Sequence, residues 1–590
     1  MQELLKKHFG FDDFRPLQKD IIDAVMEEKD CLVLMPTGGG KSLCYQLPSL
    51  ALPGVTLVIS PLVALMKDQV DALVQLGIRA ACINSTMTAA QSRAVHAKAE
   101  AGELDLLYCA PERLANGYFQ GFLSRLNVNL IAIDEAHCIS QWGHEFRPEY
   151  RNLRNLRQLL PHVSVIALTA TATPQVQKDI QGQLILRDPK IFISSFNREN
   201  LRYLVQPKRD SFPRLLTVLD QHKGESVIIY CFSRKDTEKL AKKLQEQLID
   251  ARAYHAGLPA KERTSVQEMF IKDQIPIIVA TIAFGMGIDK PDIRLVVHFN
   301  LPKTVEGYYQ ETGRAGRDGL PADCVLFYSY GDRSKHEFFI NQLEDERERL
   351  RAKQKLQDMV RLCETTRCRR AYVLEYFGEE VEQLNCALCD TCLWPKKEFD
   401  ATVVTQKILS AILRTGERFG AAHVVRVLAG SSDKKVLEMG HDKLSVYGIE
   451  KDYTRKQLQE IFRMIVEKSL IERASQEYPT WKLSSKGKTW LNARDILMLS
   501  EPQLDTHVKA RDKIDDSNYD RALFQELRAL RRQIADEQGV PPFVVFGDKS
   551  LQHMAEAMPK TIPEFATIFG VGEHKQKRYG SVFTKAIEKY

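Results

Sequence analysis

The chain has 590 residues, 44% of them hydrophobic and 27% charged, with a formal net charge of +6. This composition excludes wholesale disorder, collagen and a small disulfide scaffold, and the length allows roughly four domains of about 150 residues. A weakly basic balance permits a polyanionic partner without demanding one. No apolar run reaches the ~18 residues of a membrane span. The opening Met1-Gln2-Glu3-Leu4-Leu5-Lys6-Lys7-His8 lacks the basic-then-apolar pattern of a signal peptide, so an intracellular location is expected.

Short apolar runs alternate with helical patterns through the first part of the chain: Cys31–Met35, Val55–Ser60, Asp105–Ala110, Val128–Asp134 and Val163–Thr169. A second series follows at Ser226–Phe232, Ala251–His255, Pro276–Thr281, Ile293–Phe299 and Asp323–Tyr328. Strand-length runs rich in Val, Ile and Leu, separated by helices, predict parallel sheets covered on both faces. Two such α/β domains are expected in tandem, joined near Arg198–Pro207. Beyond Gly331 the pattern turns to charged helices, a cysteine group, a compact mixed segment and a linker rich in Asp, Lys and Ser. Short amphipathic helices then run from Tyr519 to Tyr590.

Within the first domain, Met35-Pro36-Thr37-Gly38-Gly39-Gly40-Lys41-Ser42 follows an apolar strand and opens a helical stretch. This is the context of a phosphate-binding loop. Glycines let backbone N–H groups approach phosphate oxygens, Lys41 reaches the terminal phosphates, and the Ser42 hydroxyl holds Mg²⁺. Met35 stands where the strict motif has its first glycine. Asp134-Glu135-Ala136-His137 ends a later strand; Asp134 suits Mg²⁺ and Glu135 suits the attacking water. Transfer of a phosphoryl group also needs positive charge. Arg314 and Arg317, in Gln310-Glu311-Thr312-Gly313-Arg314-Ala315-Gly316-Arg317, offer it from the second domain.

Ile139-Ser140-Gln141-Trp142-Gly143-His144-Glu145-Phe146-Arg147-Pro148 mixes aromatic and basic residues directly after the acidic pair. Trp142 and Phe146 can stack on exposed bases, with Arg147 as a further DNA-binding candidate, or the aromatics plug a core. Four of the twelve cysteines form the group Cys368, Cys386, Cys389 and Cys392. In a reducing compartment the group reads as metal ligation; the spacing suits tetrahedral zinc, with an iron–sulfur cluster as the competitor and Cys363 as a spare thiol. Thr454–Lys468 has a helical apolar face. A β-hairpin follows, with Tyr478-Pro479 near its tip. Near the end, Phe569-Gly570-Val571-Gly572 precedes the basic Lys575-Gln576-Lys577-Arg578, a turn that could hold phosphates.

Taken in order, these segments resemble the RecQ family of DNA helicases, in the second helicase superfamily. The resemblance covers nearly the whole chain. Its most specific part, Phe9-Gly10-Phe11-Asp12-Asp13-Phe14-Arg15-Pro16-Leu17-Gln18, looks like the family's nucleotide-base motif. The resemblance implies that Gln18 reads the adenine edge while Phe11 and Arg15 sandwich its ring. Ser60–Gln69, Ala167–Thr173 and Ala280–Asp289 resemble further helicase motifs. It also implies zinc at the four cysteines, an aromatic loop coupling DNA to hydrolysis, a winged helix whose Tyr478 hairpin wedges between bases, and a terminal HRDC-like module; the hairpin read by itself equally suits a plain wing touching phosphates.

The expected fold is α/β. RecA-like domains span 1–200 and 201–335, followed by a zinc-binding segment at 336–400 and a winged helix at 401–495. A linker at 496–516 leads to an HRDC-like domain at 517–590. The expected function is ATP-dependent 3′ to 5′ DNA unwinding in recombination and repair, with ATP, Mg²⁺ and Zn²⁺ as cofactors. The rivals are an RNA helicase, a translocase that does not separate strands, and a DNA-junction scaffold. Expected partners are single-stranded and duplex DNA and, as a candidate, a single-strand-binding protein. No membrane is expected; the chain is expected to be a monomer, cytoplasmic and, in a bacterium, nucleoid-associated.

Overall fold

The computed structural model describes residues 1–61, 63–84, 87–140, 147–285, 290–381, 385–395, 397–474, 480–493, 495–501 and 519–590. The chain divides into two compact units, Met1–Cys392 with Ile514–Tyr590, and Leu393–Lys513. Among the described residues no helix is long and apolar enough to cross a membrane.

The first unit contains two sheets. The N-terminal one has β1 (Cys31–Leu34), β2 (Val55–Ile59), β3 (Ala80–Ile83), β4 (Leu106–Cys109), β5 (Val128–Ile133), β6 (Ser164–Thr169) and β7 (Lys190–Ile193), in the order β3-β4-β2-β5-β6-β1-β7. Every pairing is parallel. Its central strands β1, β2 and β6 are buried at every position, as a sheet covered on both faces requires. The second sheet has β8 (Leu201–Pro207), β9 (Ser226–Tyr230), β10 (Ala251–Tyr254), β11 (Ile277–Ala280), β12 (Ile293–His298) and β13 (Ala322–Tyr328), also wholly parallel, in the order β10-β11-β9-β12-β13-β8.

Three strands differ from the sequence expectation. Leu201–Pro207, read as part of the join, is instead the edge strand β8, paired with β13 from Leu201↔Ala322 to Pro207↔Tyr328. The join is therefore the shorter stretch before it. β3 and β7 also escaped notice. Both are edge strands, and β7 leaves Ile191 and Ile193 each 47% exposed, so neither carries the buried apolar run of an inner strand.

Beyond β13 come helices Tyr330–Ile340, Glu346–Glu364 and Arg369–Tyr376, then the cysteine group. The C-terminal helices Arg521–Gln538, Asp548–Ala557 and Glu573–Lys589 enclose a separate core that includes Leu527, Phe546, Phe565 and Phe583. In the second unit, helices Thr402–Arg414, Ala421–Leu428 and Arg455–Glu467 pack around Ile408, Leu458 and Ile461. Thr454 and Gln457 form a reciprocal capping box that starts the third helix one residue after the expected position. The expected hairpin is present: Ile471–Arg473 pairs antiparallel with Trp481–Leu483. Tyr478, at its tip in sequence, lies outside the described residues.

One buried carboxylate locks the first sheet. Asp30, just before β1, accepts hydrogen bonds from Val165 N at 2.9 Å, Arg187 N at 2.7 Å and the Arg157 guanidinium at 2.5 Å. It thereby ties β1 to β6 and to the chain entering β7. Asp30→Ala would leave Arg157 buried beside no counter-charge. The expected loss is about 3–5 kcal/mol, read as a lower first transition in denaturant unfolding.

Candidate nucleotide and zinc sites

The ends of β1, β5 and β6 converge, because parallel neighbours finish on the same side. Met35 N donates to Thr169 O at 3.1 Å, so the chain keeps sheet pairing for one residue past β1. The Met35 side chain is 2% exposed in the core, which shows how this position accommodates a residue other than glycine. The loop then turns: Gly39 N donates to Pro36 O at 2.9 Å, and Gly38 and Gly40 take φ of +81° and +84°. Only glycine adopts such angles freely. Lys41 Nζ donates to Met35 O at 3.0 Å and Pro36 O at 3.3 Å, inside the loop that its ammonium would leave for a phosphate.

Asp134 follows β5 directly, its N donating to Ile59 O at 2.9 Å. Glu135 has φ +47°, a strained value for a residue with a side chain. Its carboxylate lies 3.3 Å from His137 Nδ1, which is 2.9 Å from Thr169 Oγ1, and Thr169 Oγ1 accepts from Thr171 N at 3.2 Å. A buried polar chain thus links the acidic pair to the Ala167–Thr173 segment. Sequence reading quoted His137 without giving it this part.

Gln18 is 2% exposed. Its Oε1 accepts from Arg15 N at 2.8 Å and its Nε2 donates to Gly40 O at 3.1 Å, so the segment Phe9–Gln18 is hinged to the phosphate loop. The Arg15 guanidinium donates to Gly38 O. Burial, with the nearby Arg198 charge, pushes its pKa down.

From the second domain, Arg317 lies against the loop: a Cβ on Gly38 would stand 3.3 Å from Arg317 Cα. Arg314 is buried, and its guanidinium donates to Gly285 O within its own domain. Phe11, Arg15, Gln18, Thr37, Gly38, Gly40, Lys41 and Ser42 line one cavity of about 720 Å³. Asp134, Glu135, Arg147, Arg314 and Arg317 line it too.

Sequence reading missed Arg198, which lies before β8 in a stretch with no recognisable pattern. Its guanidinium donates to Thr37 O at 2.5 Å, Gly313 O at 3.3 Å, Ala315 O at 3.0 Å and Gly316 O at 2.8 Å. One side chain therefore joins the phosphate loop to the turn that carries Arg314 and Arg317.

The four cysteine sulfurs lie within 4.8 Å of one another, with Cys389 Sγ 3.9 Å from Cys368 Sγ. Tetrahedral zinc with bonds of about 2.3 Å sets sulfurs about 3.8 Å apart, so the cage fits that ion. An iron–sulfur cluster would hold them further apart, because several iron and sulfide ions lie between. Cys363 is buried in the neighbouring helix and is not part of the cage. Arg369 braces the site, donating to both oxygens of Asp390 at 2.5 and 2.8 Å.

Family models match the chain in sequence: DEAD/DEAH box helicase at residues 15–180, helicase conserved C-terminal domain at 208–319, RecQ zinc-binding at 330–393, RQC domain at 395–507 and HRDC domain at 520–587. The chain is 43% identical to the ATP-dependent DNA helicase RecQ of Pasteurella multocida, over 100% of its own length and 93% of that protein. Identity to the RecQ of Haemophilus influenzae is 43%, over 100% and 95%, and to that of Bacillus subtilis 41%, over 100% and 98%. The chain belongs to the RecQ family of DNA helicases.

It is thus an ATP-hydrolysing RecQ helicase with two RecA-like domains, a zinc-binding segment, a winged-helix RQC domain and an HRDC domain. Of the residues expected to touch DNA, Arg147 is described: its Nη1 donates to Pro61 O at 3.1 Å, beside the nucleotide cavity. Trp142 and Phe146 lie outside the described residues, as does Tyr478. Elemental analysis of the purified RecQ chain should find about one zinc per chain and no stoichiometric iron. Cys389→Ser should lower the zinc content.

Proposed function

We propose that ATP hydrolysis in this cavity drives 3′ to 5′ movement along one DNA strand and separates the duplex ahead, in recombination and repair. What supports the reading most is the meeting of Lys41, Asp134 and Glu135 with Arg317 of the other domain around one cavity. Phosphoryl transfer is largely a matter of positioning and charge, and these are the groups it needs.

In this reading Phe11, Arg15 and Gln18 hold the adenine. Thr37, Gly38, Gly39 and Gly40 present N–H groups to the phosphates, and Lys41 moves from its loop carbonyls to the terminal oxygens. Ser42 and Asp134 would hold Mg²⁺, which would supply positive charge to the bound phosphates. Glu135 orients the attacking water and takes its proton, with His137 fixing the carboxylate. Arg317 and Arg314 meet the charge that develops on the transferred group. Trp142, Phe146 and Arg147 contact the DNA strand, and the Tyr478 hairpin stands at the strand junction. Arg147 adjoins the cavity, which suits a loop that reports strand occupancy to the carboxylates. The four cysteines hold zinc as a structural ion. The protein would act in the cytoplasm on single-stranded and duplex DNA.

Polarity and activity are tested together on duplexes carrying a single-stranded 3′ or 5′ tail, with release of a labelled strand followed on native gels. Release is expected from the 3′-tailed duplex alone and only with ATP. Lys41→Ala should lose it, with ATP turnover lower by roughly a hundredfold. Release from the 5′-tailed duplex would reverse the polarity. ATP consumption without release would replace unwinding by translocation.

A further inference from the structure

The cavity has a wall that the helicase domains do not supply. Phe569 and Phe543, both from the C-terminal helical module, line it together with Phe11 and Gln18. The Phe569 ring lies 5.6 Å from the Phe11 ring, tilted by 37°. Phe569 is itself fixed: its N donates to His553 Nδ1 at 3.0 Å, and Lys549 Nζ stands 4.6 Å from its ring centroid.

The two backbones pass closely at this junction. A Cβ on Gly10 would lie 2.5 Å from Gly572 N and 2.8 Å from Val571 C, while one on Gly572 would lie 3.4 Å from Gly10 Cα. Gly10, at φ +71°, must be glycine for the two chains to pass so closely, whereas a Cβ on Gly572 would meet only a tight contact that a small shift relieves. The turn Phe569–Gly572, read from sequence as a phosphate cradle, is thus occupied by the segment that leads to Phe11. Two of the neighbouring cations are also engaged. Lys575 Nζ sits 5.3 Å from the Phe546 ring, and Arg578 donates to Gln75 Oε1 at 2.9 Å. On the other side, Phe543 lies 6.0 Å from Lys290 Nζ of the second helicase domain. The module therefore touches both domains at the mouth of the nucleotide cavity.

We propose that Phe569 is a nucleotide-positioning residue: from the C-terminal module it holds the Phe11 ring in the orientation that receives the base. The proposal rests on the reading of Phe11, Arg15 and Gln18 as the base site. Phe11 sits on a loop whose side chain is otherwise partly open, and an aromatic neighbour restricts a ring in a way that a solvated edge does not. The consequence is specific. Losing Phe569 should weaken recognition of the base and leave the phosphate grip intact.

The test uses the full chain and steady-state ATP hydrolysis with saturating single-stranded DNA, for wild type, Phe569→Ala, Phe569→Tyr and Phe11→Ala. Inorganic tripolyphosphate, which has phosphates and no base, serves as a competitive probe. Phe569→Ala is expected to raise KM for ATP by about two- to tenfold, with kcat within about twofold and tripolyphosphate inhibition unchanged. Phe569→Tyr, which keeps the ring at a partly exposed position, should restore KM. A raised KM in Phe11→Ala with none in Phe569→Ala would overturn this proposal and leave the base site standing. An unchanged KM in both would overturn the base-site reading and the proposal with it. A parallel loss of tripolyphosphate binding in Phe569→Ala would also overturn it, since the module would then act on the whole cleft.

Discussion

The Arg198 guanidinium is the constraint on which the nucleotide site depends. Four carbonyl oxygens, one from the phosphate loop and three from the arginine turn, point at a single planar cation. Lone pairs converging from two domains would otherwise repel one another. A guanidinium satisfies several at once because its five N–H groups lie in a fixed fork. The bridge holds the Gly313–Gly316 turn beside Thr37, and that turn places Arg317 against Gly38. In the proposed mechanism hydrolysis depends on that proximity, since neither domain alone holds both Lys41 and Arg317.

The two parallel sheets provide the rigid frame for this bridge. Buried strands end together, and their ends present Met35, Asp134 and Thr169 side by side. The His137 chain then runs from Glu135 to Thr169 and Thr171. The zinc segment braces the same region from outside. Arg370 Nη2 donates to Leu201 O at 2.9 Å, Phe377 stacks on Phe196 at 4.6 Å, and Glu379 accepts from Ser195 Oγ at 2.9 Å. These contacts fall on the residues either side of Arg198, so the metal cage and the domain bridge share one support.

Much of this was legible in the sequence because the chemistry is local. A phosphate loop needs its glycines, Lys41 and Ser42 within a few residues, and zinc needs thiolates at short spacing. Inner strands announce themselves because burial on both faces demands continuous apolar runs. What escaped was long-range or half-exposed. β3 and β7 lie at sheet edges, and β8 carries polar residues such as Arg202 and Gln206 in a strand read as a connector. Arg198 donates to carbonyls more than a hundred residues away, in both directions along the chain, and no spacing encodes that. The Gly570–Gly572 turn carried a misleading signal: glycine beside lysine reads as a phosphate cradle, whereas here glycine serves close passage of another backbone.

The Arg198 bridge is tested most directly by the kinetics of Arg198→Ala and Arg198→Lys in ATP hydrolysis with saturating DNA, alongside their melting temperatures. Both variants are expected to fold, with kcat lower by about tenfold or more in each, because an ammonium cannot span the carbonyls that the guanidinium joins. A kcat within about twofold of wild type in Arg198→Ala would contradict this, and would mean that Arg317 reaches the phosphate loop without the bridge.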